Sequence, residues 1–169
     1  DDIQWFFIFR KCYNNFIMIK EIKSEIEMKR FGELLGSYLF GGCLIELVGD
    51  VGSGKTTLTK GIAVGLGVED DVQSPSFMIK RVYDARDHLI LAHYDFYRLI
   101  DAGIMASELE ESLSDPSCVA IIEWGEIVDG VLPTDRLSIK IVSPTENSRE
   151  LTIDANGEKS QKILDYLSV

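Results

Sequence analysis

A chain of 169 residues is long enough to bury one continuous core and too short for two comfortable ones. Its composition, 46% hydrophobic and 27% charged, predicts a globular protein. The excess of 28 Asp and Glu over 17 Lys and Arg, a formal charge of -11, argues against direct gripping of a phosphate backbone, which needs clustered cations.

Taken in chain order, the opening DDIQWFFIFRKCYNNFIMIK has short apolar clusters interrupted by charged and polar residues. None approaches the roughly 20 apolar residues of a membrane span, and the basic-then-apolar order of a signal peptide is missing. We expect residues 1–17 to be a peripheral extension and residues 18–169 a single domain, with Met18 a candidate natural start. Cys12, Cys43 and Cys118 are far apart, odd in number and without C-x-x-C spacing. They indicate neither a zinc site nor a disulfide framework, and a reducing, cytoplasmic setting is expected.

Ser24 with Glu27 three residues later forms a capping box, and Phe31, Leu34, Leu35, Tyr38 and Leu39 then share one helical face. Gly41 and Gly42 end that helix. CLIELV follows as a short, nearly all-apolar strand, of the kind covered on both faces. TLTKGIAVGL is helical, VEDDVQSPSF a loop, and FMIKRVYD and HLILAHYD a hairpin around ARD. DAGIMASELEESL predicts a helix ended by Asp115-Pro116, VAIIEW a second buried strand, RLSIKIV and RELTIDA two alternating strands, and KSQKILDYL a last helix.

Between the first buried strand and the helix after it lies GDVGSGKT, Gly49 to Thr56, matching G-x-x-x-x-G-K-[ST] in the strand-to-helix context that its mechanism demands. Glycines let the backbone curl until successive N–H groups point inward, and the helix adds its positive N-terminal end. The expectation is a nucleotide site made by Gly49, Asp50, Val51, Gly52, Ser53, Gly54, Lys55, Thr56 and Thr57. Lys55 would reach the β- and γ-phosphates of ATP as a catalytic residue, and the Thr56 hydroxyl would ligate Mg²⁺. The matching fold class is α/β, a three-layer P-loop NTPase-like domain with a mixed central sheet flanked by helices.

Such a site also needs a carboxylate at a neighbouring strand tip. Glu123 ends the unbroken apolar run VAII, as expected for a parallel strand beside CLIELV, and is the preferred metal ligand. Asp95 ends LILAHYD, which belongs to the hairpin, and is assigned to orienting an attacking water or supporting the metal site. A helix cap or an ion pair with Arg98 is the alternative for Asp95, and a solvated strand end the alternative for Glu123. Trp124 covers either the nucleotide or a partner, or it closes the edge of the core. Ser74 and Ser76, around Pro75, stand where a loop sensing the γ-phosphate is often found, or in a plain connection. His88 is expected in solvent, and His93 packed or hydrogen-bonded within the sheet.

Together and in this order, GDVGSGKTTL, SPSF, HYDFYRL, IIEW and GVLP resemble the TsaE family, also called YjeE, over residues 24–155. These are bacterial ATPases required for threonylcarbamoyladenosine modification of tRNA. The resemblance implies ATP and Mg²⁺ binding, slow hydrolysis until docking on the partners TsaB and TsaD, and only indirect contact with tRNA, in keeping with the acidic charge. It assigns Lys55 and Thr56 to phosphate and Mg²⁺, Ser74 to Phe77 to a switch-like S-P-T segment, Asp95 to the D-x-Y-R-L acid, and Glu123 with Trp124 to an E-W pair. Ser76 replaces the usual threonine, and IMASELEESL lacks the leucine-glycine step common after D-x-Y-R-L. A small-molecule or nucleotide kinase is the rival reading, but no Arg-rich lid is evident in the sequence. A GTPase is disfavoured because N-K-x-D is absent.

Overall fold

The computed structural model describes residues 7–12, 15–75 and 77–168. Eight strands form one mixed sheet: β1 (Phe7–Cys12), β2 (Asn15–Ile22), β3 (Leu44–Val48), β4 (Lys80–Asp84), β5 (Ile90–Asp95), β6 (Cys118–Glu123), β7 (Leu137–Val142) and β8 (Arg149–Ala155). Their spatial order is β1-β2-β8-β7-β3-β6-β5-β4. The central strands β7, β3, β6 and β5 run parallel, and antiparallel pairs close both sides. As the sequence predicts, CLIELV and VAIIEW lie side by side in the middle of the sheet, β4 and β5 form the hairpin, and every residue of β6 is buried.

Alternation along these strands divides the core in two. Ile45, Leu47, Val119, Ile121, Ile139 and Leu91 point to the face covered by α1 (Glu25–Tyr38), α2 (Lys55–Gly65) and α4 (Glu158–Leu167). Leu44, Ala120, Ile122, Ala92 and Tyr94 point to the other face, where α3 (Gly103–Ser114) brings Leu109 and a 3-10 turn over Gly125–Val131 brings Val128. The result is the expected helix–sheet–helix layering. Glu46, the one charge in the predicted apolar strand, is compensated on the second face by Arg136 Nε and Ser138 Oγ, both 2.8 Å from its Oε2.

The capping box at α1 forms with one change. Glu27 N–H donates to Ser24 Oγ at 3.1 Å, but the returning carboxylate accepts from Lys23 N–H at 2.8 Å. Its other oxygen lies 3.5 Å from the buried Lys20 ammonium, which draws the side chain one residue upstream. Helices α1 and α2 then meet through glycine. A Cβ on Gly32 would stand 2.6 Å from Leu58 O, and Cβ atoms on Gly36, Gly61 and Gly65 would overlap the backbone oxygens of Ile62, Lys29 and Glu33. Backbone therefore packs on backbone along both helices.

The sequence reading contained no strand before residue 24, whereas β1 and β2 form the outer hairpin of the sheet. The boundary between residues 17 and 18 falls inside β2. A chain beginning at Met18 keeps the pairings from Met18 with Ile153 to Ile22 with Arg149. We expect it to fold and to melt cooperatively, with its midpoint lowered by a few degrees, on a scale of about 2–4 °C per kcal/mol for a domain of this size. Loss of the cooperative transition in a calorimetric scan would show that residues 1–17 are indispensable. Among the described residues, Cys43 and Cys118 are free and buried, and burial pushes each thiol up to about 11. No described helix is long and apolar enough to cross a membrane.

Candidate functional site

The glycine-rich loop leaves β3 after Val48 and enters α2 at Lys55. Gly52 and Gly54 have φ of +78° and +109°, values that side chains other than glycine resist, and these two turns curl the loop over the start of α2. The N–H groups of the first turn of α2 have no intrahelical acceptor and open toward the loop. Ser53 N–H closes the curl on Asp50 O at 3.1 Å, Arg149 Nε clamps Ser53 O from β8 at 2.9 Å, and Ser53 Oγ is buried with no hydrogen-bond partner among the described residues. Lys55, only 6% exposed, folds back over the loop, donating to Gly49 O at 2.7 Å and Asp50 O at 2.8 Å. Its Nζ lies 4.8 Å from the centre of the Trp124 ring.

A cleft of about 440 Å³ opens in front of this loop. Val51, Gly52, Gly54, Lys55, Thr56 and Thr57 form one wall, and Ser74, Asp95, Glu123 and Trp124 the other. Most of the residues singled out from sequence therefore meet in one place. Gly49, Asp50 and Ser53 shape the loop without lining this cleft, and Ser76 lies outside the described residues. Phe77, Tyr97 and Arg98 also line it; of these, only Phe77 is placed near a site from sequence, through the resemblance, and Arg98 is named there only as an alternative ion-pair partner for Asp95. Arg98 sits 4.6 Å from the centre of the Phe77 ring, and Tyr97 packs on Trp124 with centroids 5.0 Å apart. A D-F-Y-R run directly after a strand tip was the available signal, because residues just beyond a strand's carboxyl end frame the crevice there.

The two carboxylates are neighbours by register: Asp95 on β5 is paired with Glu123 on β6. Both are almost wholly buried, at 4% and 3% exposure. Asp95 Oδ1 accepts from Tyr97 N–H at 3.0 Å and Oδ2 from Ser74 Oγ at 3.2 Å, so both oxygens have protein donors. It stabilises the turn after β5, while Arg98 lies over Phe77 rather than beside Asp95. Glu123 Oε1 is 2.9 Å from His93 Nε2, and among the described residues Oε2 has no hydrogen bond. His93 is fully buried within the sheet and His88 is exposed, both as expected. Trp124 leaves β6 with φ 58° and ψ 47°, a left-handed conformation that turns its ring toward the cleft.

No group of three or more His, Cys, Asp or Glu able to hold a metal occurs among the described residues. The available donors are the Thr56 hydroxyl and the Glu123 and Asp95 carboxylates. That set fits Mg²⁺, which takes one or two carboxylates and completes its octahedron with phosphate and water. It is too sparse for an all-protein cage.

A second cleft of about 480 Å³ adjoins the first on the far side of Gly52, Gly54 and Thr57. Its outer wall comes from Ile22, Ser24 and Met28 at the β2–α1 junction and from Asn147 and Arg149 at the start of β8.

Comparison with known proteins gives one answer. A model of the family described as threonylcarbamoyl adenosine biosynthesis protein TsaE matches residues 22–151. A tRNA threonylcarbamoyladenosine biosynthesis protein TsaE from Bacillus subtilis is 35% identical over 142 residues, covering 84% of this chain and 88% of the relative. Its namesake from Streptomyces coelicolor is 38% identical over 137 residues, covering 78% and 93%. The crystal structure of Bacillus subtilis YdiB superposes with a TM-score of 0.77 at 29% identity, covering 93% of this chain and 97% of that one. Matched over most of its length by sequence and by fold, the chain belongs to the TsaE family of threonylcarbamoyl adenosine biosynthesis proteins.

Proposed function

We propose that this chain is an Mg²⁺-dependent ATPase that serves threonylcarbamoyladenosine modification of tRNA, acting with TsaB and TsaD homologues and hydrolysing ATP to reset their complex. The observation that carries this reading is the convergence of Lys55 and Thr56 with Asp95 and Glu123 on one cleft. The loop amides would hold the β-phosphate, and Lys55 would leave the Gly49 and Asp50 carbonyls to bridge the β- and γ-phosphates. Thr56 and Glu123 would hold Mg²⁺, which when bound neutralises phosphate charge. Asp95, with Ser74 hydrogen-bonded to it, would orient the attacking water. The adjoining cleft beyond Thr57 offers space for the nucleoside end of the ligand.

A net charge of -11 supports action on a tRNA-modifying assembly without a grip on tRNA itself. The test is ATP hydrolysis by the chain alone and with its TsaB and TsaD partners, with Lys55→Ala as control. Slow basal turnover, stimulated by the partners and abolished by Lys55→Ala, is expected. Unstimulated turnover together with phosphoryl transfer to a small acceptor would replace this reading with a kinase.

A further inference from the structure

His93 lies on β5 two residues before Asp95, so both side chains project to the sheet face on which α2 packs. Opposite it on β6 is Ile121, and Glu123 is the diagonal neighbour. The ring is fully buried, with Nε2 2.9 Å from Glu123 Oε1 and Nδ1 buried and, among the described residues, without a hydrogen-bond partner. A carboxylate only accepts, so this bond places a ring proton on Nε2. That arrangement is a poor core element. The flanking positions Leu91 and Ile121 are filled by apolar side chains, and a buried polar pair adds little stability over them. It does fix one oxygen of a side chain whose other oxygen carries no hydrogen bond among the described residues and which lines the cleft.

We propose that His93 is a positioning residue: by donating from Nε2 to Glu123 Oε1 it keeps Oε2 turned to the cleft, pre-set for the Mg²⁺ that Thr56 also holds. The inference rests on the reading of Glu123 as a metal ligand. It concerns a residue two positions away from the D-x-Y-R-L segment's acid, with no contact to nucleotide of its own.

The measured quantity is the gain in ATP affinity that Mg²⁺ confers, taken as the ratio of dissociation constants in EDTA and in saturating Mg²⁺. Removing an outer partner of a metal ligand weakens metal binding about 10–100-fold, so His93→Leu should cut the gain at least about tenfold while leaving affinity in EDTA unchanged. His93→Gln, which retains a donor, should keep the gain within about threefold of the parent. An unchanged gain in folded His93→Leu overturns the proposal. Glu123→Gln separates the two ideas. If it keeps the full gain, the metal reading itself falls; if it loses the gain while His93→Leu does not, only the positioning role falls.

A measurement on the unaltered chain stands even if His93→Leu does not fold. With two histidines in the sequence, the ring ¹⁵N resonances are assignable, and His93 should show the Nε2–H tautomer. Its Nε2 signal should move on binding ATP with Mg²⁺ and hold still on binding ATP in EDTA. An Nδ1–H tautomer, or the same response in both conditions, would also overturn the proposal.

Discussion

Glu123→Gln is expected to remove at least about 90% of the Mg²⁺-linked gain in ATP affinity, whereas Asp95→Asn should leave that gain within about fivefold of the parent and depress turnover instead. The asymmetry comes from the hydrogen bonds. Asp95 already satisfies both oxygens with Tyr97 N–H and Ser74 Oγ, so its carboxylate is committed to the turn after β5 and to the loop that carries Ser74. Glu123 commits one oxygen to His93 and has the other available. Asn at position 95 keeps an acceptor for the turn but loses the charge that would orient an attacking water under the proposed role. Gln at position 123 loses the charge that a hard divalent cation requires. Isothermal titration with and without Mg²⁺, followed by single-turnover hydrolysis, distinguishes these outcomes. A larger loss of Mg²⁺ coupling in Asp95→Asn would reverse the assignment.

The largest effect on stability is expected where α1 crosses α2. Ala is favoured over Gly in a helix by about 1 kcal/mol, yet Gly61→Ala should destabilise the chain by about 1–3 kcal/mol, and Gly61→Val by more. The added Cβ would overlap Lys29 O and stand 2.9 Å from Gly32 Cα, and backbone atoms cannot rotate aside as a side chain can. Gly130→Ala is the control, since a Cβ there meets nothing within 4 Å and should change the midpoint negligibly. Thermal or denaturant unfolding reads the difference. Equal behaviour of Gly61→Ala and Gly130→Ala would mean that the two helices are free to spread apart.

The buried strands and the strand–loop–helix around Lys55 were legible because each is encoded locally: an apolar run, glycines at the turns, helical spacing afterwards. The pairing of Asp95 with Glu123 was not, because register between β5 and β6 depends on contacts 28 residues apart in sequence, and no local pattern reports it. Expecting both strand tips at one pocket was therefore an inference from mechanism, and it agrees with the structure. The hairpin β1–β2 was missed because its apolar residues are broken by Arg10, Lys11 and Lys20. Lys20 is buried against Glu27, a compensation made only after α1 docks. The glycines of α1 and α2 were given no role from sequence, although the four-residue spacing within GELLG and GIAVG carries the close crossing in plain view.

That crossing also ties together the rims of the two adjoining clefts. Ser24 and Met28, where α1 starts, border one cleft, and Lys55 and Thr56, where α2 starts, border the other. At Gly32, Gly36, Gly61 and Gly65 backbone lies directly on backbone, so no flexible side chain stands there to absorb a shift, and the start of α1 and the start of α2 are packed as one unit on either side of Gly52 and Gly54.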